Sequence, residues 1–294
     1  MNSLCLSSGV EIDRVSNTLI SGLYAYQLEP KVIDLIAEKR FSEISSNDVA
    51  GLMHVGLVFQ KQSELAGEIH WSEMCETLKS SVIVAMREEG KDGFMQKIIT
   101  GQANKQQAEA WVRSMFDFTK LAKDHIGHIV EIHSSGDTED SRAYWQQFFD
   151  EEKNHWQIYT RIFKHMGLDI VQEYDREPYP EVRKFVDFLK EAANESEQHY
   201  AALLFMVETG AGCDSLQDDP QFYSLVEHYD FPYEVVNPLF LHTKLNDDIE
   251  HSNIWREVIS KKETYTPSEV TSITLFALNH LRLSRNWIDS LERV

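Results

Sequence analysis

The chain has 294 residues, with 48 Asp and Glu against 28 Lys and Arg, a formal net charge of −20 and a sequence pI of about 5.0. Such an acidic surface repels polyanions and makes nucleic acid and anionic membrane poor partners. With 42% hydrophobic residues it can fill a core, and it has no apolar run of the roughly 18 residues that a membrane span needs.

Thirteen glycines and seven prolines fall mostly between stretches of helical period, and strand alternation is hard to find, so the predicted class is all-α. A first helix is expected over residues 13–27, stopping before Pro30, and a second over 32–40. Ser46-Asn47-Asp48 offers caps for a helix to residue 62. Residues 72–89 form the next helix. A short apolar piece over 94–99 is closed by Thr100-Gly101, and a long helix follows over 105–132. Asp137-Thr138-Glu139-Asp140 caps a helix that runs through Glu152 and His155 to Gly167. Beyond Pro178 and Pro180 a long helix spans 181–209, and Pro220 opens a shorter one. Residues 235–260 form one continuous helix, and Thr266-Pro-Ser-Glu269 signals the start of the last. No flexible linker is visible.

Chemistry concentrates at two pairs. Glu152 and His155, three apart on a helix, leave one face about 60° apart and can reach one cation. A carboxylate oxygen with an imidazole nitrogen suits non-haem iron or manganese better than calcium or magnesium. The second pair lies in Asn246-Asp-Asp-Ile-Glu-His251, where Asp248 precedes His251 by three residues and Asp247 by four; spacing leaves both open. Between the pairs in sequence, Glu208 ends an otherwise apolar segment, and a buried carboxylate needs a partner. Bundle metal sites join such pairs from separate helices with bridging carboxylates. The plain alternative is a set of solvated helix faces, with Glu151 contacting His155 and Glu208 exposed at a helix end. The aromatic neighbours Phe148, Phe149, Trp156 and Tyr159 favour the metal reading. His125, His128 and His133 read as ordinary helix residues, and Glu195 with His199 as a surface pair. Cys5, Cys75 and Cys213 form no paired framework, Cys213 lacks a neighbouring base, and the N-terminus lacks the pattern of a secretory signal, so the expected compartment is the cytoplasm.

Residues 94–111, with a short helix and a Gly turn leading into a long helix that bears Trp111-Val112, resemble the opening of haem-oxygenase-like domains of the TenA and PqqC type. Phe149-Asp-Glu-Glu-Lys-Asn-His-Trp-Gln-Ile-Tyr159 and His165-Met-Gly-Leu-Asp169 resemble the next segment of that family, and the Glu208 and His251 segments follow in the expected order. The resemblance covers roughly residues 80 to 294 and points to the haem-oxygenase-like diiron oxidases. It implies a bundle of about seven core helices around two irons. Residues 1–80 would be extra N-terminal helices packed on that bundle. It further implies Glu152, His155, Glu208, Asp247 or Asp248, and His251 as Fe(II) ligands, with two irons per chain or one tight and one loose. O2 would be the co-substrate, and a small amino-acid-like or fatty-acid-like molecule would undergo N-oxygenation, desaturation or oxidative C–C cleavage in natural-product biosynthesis. An electron donor and a homodimer partner are further expectations. Many members carry another His seven residues before the last; here that position is Lys244, expected to anchor a substrate carboxylate, while His242 is expected to turn away from the metal face. The alternatives are a metal-free TenA/PqqC-like enzyme and a non-catalytic acidic helical binding protein.

Overall fold

Capping and turn residues place most element boundaries in the computed structural model, which describes residues 3–6, 10–21, 24–45, 47–49, 52, 58–61, 67–89, 93–132, 139–208, 212–248 and 253–294. Strands β1 (Ser3–Leu6), β2 (Val10–Asp13), β3 (Thr18–Ser21) and β4 (Tyr24–Gln27) precede helix α1 (Pro30–Ala37) and strands β5 (Val58–Lys61) and β6 (Ile69–His70). The helical body follows with α2 (Trp71–Glu89), α3 (Phe94–Ile99), α4 (Lys105–Ile132), α5 (Glu139–Glu152), a 3-10 segment over His155–Tyr159, α6 (Thr160–His165) and α7 (Ile170–Asp175). It continues with α8 (Pro180–Glu195), α9 (Glu197–Val207), α10 (Pro220–His228), α11 (Tyr233–Asp248), α12 (Ile254–Ser260), the short strand β7 (Thr264–Tyr265) and α13 (Pro267–Ser290). Helix dominates from Trp71 onward, as the apolar periodicity predicts.

The N-terminal residues depart from the helical expectation. Of residues 13–27, predicted as a helix, 13–21 and 24–27 lie in an antiparallel meander β2-β3-β4. Its first turn explains the difference. The Asp13 carboxylate accepts from the Val15 amide at 2.9 Å and from the Ser16 hydroxyl at 2.7 Å, and Asn17 takes a left-handed φ of 57°. Asp and Asn that bond their own backbone and tolerate positive φ favour a turn over a helix. In the stretch expected to be helical up to residue 62, β5 pairs antiparallel with β1, Ser3 opposite Lys61. Leu19, Ile33, Leu35, Ile36, Phe41, Ile44 and Leu52 form a small core of their own. The expected boundary at residue 80 falls inside α2, whose Met74, Cys75, Leu78 and Val82 belong to the main core.

The long helices bury the stripes their sequences draw. On α8 the buried residues are Val182, Phe185, Val186, Leu189, Ala192 and Ala193, a run at helical spacing. Helix α9 is different, since the consecutive residues Tyr200, Ala201, Ala202, Leu203 and Leu204 are all buried. A helix apolar on all sides is covered on all sides, and α8, α12 and α13 pack around it. The single helix predicted over 181–209 is in fact α8 and α9, broken at Ser196. There the backbone is extended and the serine side chain accepts from the His199 amide, capping α9. At the start of α13 the predicted signal is a full capping box between Thr266 and Glu269. Gly101 closes α3 at φ +69°, and a Cβ there would come within 2.8 Å of His228.

Charges inside this body are matched in networks. Asp117, fully buried on α4, accepts from Arg176 at 2.9 Å through both oxygens and from the Tyr179 amide, with Lys120 3.3 Å away. Lys120 in turn donates to the Glu173, Tyr174 and Arg176 carbonyls and so caps the C-terminus of α7. Removing one partner of a buried pair strands the other charge. Lys120→Met is therefore expected to cost about 3 kcal/mol or more, read as a fall in the urea midpoint.

His125 on α4 and His280 on α13 are wholly buried, and burial pushes each imidazole down to about 3. His280 lies stacked on Phe185 with ring centroids 4.0 Å apart. Both groups stay neutral in the fold but take up a proton below about pH 6.5 once unfolded. The stability they protect is full above that pH and is lost as the pH falls toward 3, at about 1.4 kcal/mol per pH unit per site. Urea midpoints measured from pH 7 to pH 4 should fall steeply, and His280→Leu should remove about one proton from that dependence.

Candidate metal centre and cavity

Glu152 is the last residue of α5, which is anchored in the core by the buried Trp145 and Phe148. The helix predicted to run through to Gly167 stops here. Lys153 and Asn154 form a turn, and His155 opens the 3-10 segment. The two side chains still meet: His155 Nδ1 lies 2.6 Å from Glu152 Oε2. From α11, His242 brings its Nε2 to 2.7 Å from the same Nδ1, with the two rings edge to face at 4.3 Å. One ligand atom from each of the three residues falls within 4.8 Å of the others, Glu152 being buried and both histidines half-buried.

Hydrogen bonding does not account for this convergence. An imidazole Nδ1 carries either one hydrogen or one in-plane lone pair, so it makes one strong bond and not two. A cation bound through the lone pairs satisfies an oxygen and two nitrogens together. Two imidazoles and one carboxylate are the donor set of non-haem Fe(II) sites that keep open positions. The residues present therefore fit such an ion.

Beside this cluster is a cavity of about 100 Å³. Met115, Phe118, Ile126, Val207, Phe222 and Leu239 supply much of its apolar wall, and Glu152, Glu208, His125 and His242 face it as well. Glu208 is the C-cap of α9 and is 7% exposed, so the buried helix delivers a carboxylate to the cavity. His125 also has a fixed partner, the Tyr200 hydroxyl, 2.8 Å from its Nδ1. Burial, with the nearby Glu208 and Glu152 carboxylates adding to it, holds the Tyr200 phenol well above its ordinary range.

Of the residues singled out in the sequence, Glu152 and His155 are together and Glu208 lines the same cavity. Lys244 does not line it; its ammonium is 3.9 Å from Asp214. His251 and the side chains of Asp247 and Asp248 lie outside the described residues. His242, expected to turn away, is in the cluster. That expectation counted helical phase back from His251 along one continuous helix. His251, from which the metal face was counted, lies outside the described residues, whereas His242 is placed on α11 by its contact with His155. The usable signal was on α11 itself, where Leu239, His242 and Thr243 follow i, i+3, i+4 and all line the cavity. His125, read as an ordinary helix residue, lines it too. His199 bonds Ser196 and Ser272, and Glu195, at the end of the preceding helix, is exposed. Cys75 is buried with its thiol pushed up to about 12, and Cys213 is half-buried.

No helix among the described residues is long and apolar enough to cross a membrane. No protein-family model matches the chain, and no curated protein matches it. Solved structures do. A domain of unknown function with a haem oxygenase-like fold from Shewanella denitrificans superposes with a TM-score of 0.59 at 14% identity, covering 76% of this chain and 93% of that one. A TenA homologue from Pseudomonas syringae pv. tomato gives 0.57 at 10% identity, covering 80% and 99%. A TenA homologue from P. horikoshii gives 0.54 at 13% identity, covering 75% and 98%. At these identities the likeness is one of architecture, and it agrees with the helix order described above: the chain has the haem oxygenase-like all-α fold.

Proposed function

We propose that the protein is an O2-dependent non-haem iron oxidase or oxygenase acting on a small molecule. The observation that carries this reading is the convergence of Glu152, His155 and His242 beside a largely apolar cavity. These three residues would hold the first Fe(II) tightly. Glu208, with Asp247 or Asp248 and His251, would hold a second more loosely, making the diiron form. When bound, the metal supplies the reduction of O2 and the oxidation of a substrate C–H or N–H bond. The chain's own contribution is electrostatic and steric. Glu152 and Glu208 balance cationic charge, and the phenylalanine, leucine and valine wall excludes water from the reacting groups. An electron donor, a homodimeric assembly and a role in natural-product biosynthesis belong to the same proposal.

The likeness to two TenA homologues favours a second reading, a metal-free TenA/PqqC-like enzyme. In that case Glu152 and His155 would serve as acid–base groups at the cavity, with the neutral Tyr200–His125 pair supplying a hydrogen bond.

Metal content separates the two. Anaerobically reconstituted protein is expected to bind at least one Fe(II) per chain tightly, by colorimetric iron assay after desalting. His155→Ala and His242→Ala should each weaken that binding by at least about a hundredfold, because each removes one of few ligands. Iron retained at the parent level in both variants would discard the ligand set, and a parent protein that takes up no Fe(II) would leave the metal-free reading.

Glu208→Ala should keep the tight iron and the helical circular dichroism. It should lose any second equivalent of iron and slow O2 consumption in a Clark-electrode assay. If both are unchanged, Glu208 is a structural cap alone.

A further inference from the structure

His125 and Tyr200 form a wholly buried pair in which only the histidine also reaches the cavity, and that difference favours one direction for the hydrogen bond between them. The only partner of the Tyr200 hydroxyl among the described residues is His125 Nδ1, at 2.8 Å. If Nδ1 carried the hydrogen and donated to the phenol oxygen, the phenol O–H would be left buried without an acceptor, and Tyr200, unlike His125, does not line the cavity, so no occupant could supply one. A stranded buried donor costs about 1–3 kcal/mol. The favoured arrangement has the Tyr200 O–H donating to a bare Nδ1. A neutral imidazole then carries its hydrogen on Nε2, and the depressed basicity of the buried ring keeps it neutral. That Nε2 is buried and has no protein partner among the described residues. The ring lines the cavity, so the pair leaves one fixed N–H donor at an otherwise mostly apolar wall.

We propose that His125, held in its Nε2–H tautomer by Tyr200, is the positioning residue that binds a carbonyl-type oxygen of the substrate. A few well-placed polar groups in an apolar pocket set ligand orientation in this way. Size narrows the class further. A cavity of about 150 Å³ accommodates benzene, so one of about 100 Å³ takes a molecule of about four or five heavy atoms. With Glu152 and Glu208 at the same cavity, the iron-free protein favours a neutral amide over a carboxylate anion, and bound cationic metal reverses that preference. The inference deepens the reading of this cavity as a substrate site, but it does not depend on iron.

The test uses the full chain, iron-free, with propionamide and propionate as probes. Imidazole ¹⁵N spectra should show His125 as the neutral Nε2–H tautomer and should show Nε2 shifting on addition of propionamide. His125→Leu should weaken propionamide binding about tenfold. Tyr200→Phe should weaken it severalfold and leave a mixture of tautomers, and His125→Gln, which retains a donor, should recover part of the affinity. Circular dichroism confirms that each variant is folded, and a variant that is not is replaced by the parent's tautomer measurement as the deciding result. An Nδ1–H tautomer in the parent, no propionamide binding, or equal binding in His125→Leu overturns the proposal. Iron uptake is assayed on the same proteins. Tautomer and probe results as expected in a parent that takes up no iron would overturn the oxidase reading and leave this one standing; normal iron uptake with an unresponsive His125 would do the reverse.

Discussion

Everything near the cavity depends on one short helix being covered on all sides. Residues 200–204 of α9 are buried without a break, so no solvated face is left to tolerate charge along its length. Charge is confined to its two ends. At the N-terminal end Glu197 accepts from the Trp145 indole at 2.7 Å and pairs with Lys261 at 3.0 Å. That end is closed by protein. At the other end Glu208 meets the cavity. A carboxylate in such a place needs a counter-charge or a proton, and His125 and His242 line the same cavity. The break at Ser196 makes this possible. A continuous helix in line with α8 would carry the stripe of α8 onward and could not turn its whole surface inward.

Much of the helical body was legible in the sequence because its signals are local. The capping box at Thr266, Gly101 after α3 and the proline starts of α8 and α10 each satisfy orphan backbone groups within a few residues, so they are visible without tertiary context. The breaks inside long apolar runs were not legible. Ser196 and the Lys153-Asn154 turn interrupt helices by changing which neighbours a residue meets, and apolar periodicity continues across both. The N-terminal meander was missed for a related reason: its strands are four residues each, too short to show alternation, while its turn chemistry at Asp13 and Asn17 could have been read.

The candidate site divides along the same line. Glu152 and His155 were found because three-residue spacing survives the change from α to 3-10 geometry. Glu208 stood out as a lone carboxylate in apolar sequence. His242 was lost because its phase was counted from His251 alone, whereas its place in the site is set by the contact of α11 with His155, 87 positions away in the chain. His125 carries no local sign at all. Its importance comes from Tyr200, 75 positions away in the chain, and only packing brings the two together.

The joint between Glu152 and His155 has a mechanical consequence. A 3-10 segment rises about 2.0 Å per residue and an α-helix about 1.5 Å. The segment His155–Tyr159 has five residues, so winding it into α geometry would shorten it by about 2.5 Å. Its far end is held by Tyr159, buried against Phe116 with ring centroids 5.6 Å apart. Its near end carries His155. Small changes of pitch are thus converted into travel of an imidazole relative to a carboxylate fixed on α5. The spacing of those two donors is adjustable at the cost of backbone hydrogen bonds in a single turn, while the surrounding helices stay in register.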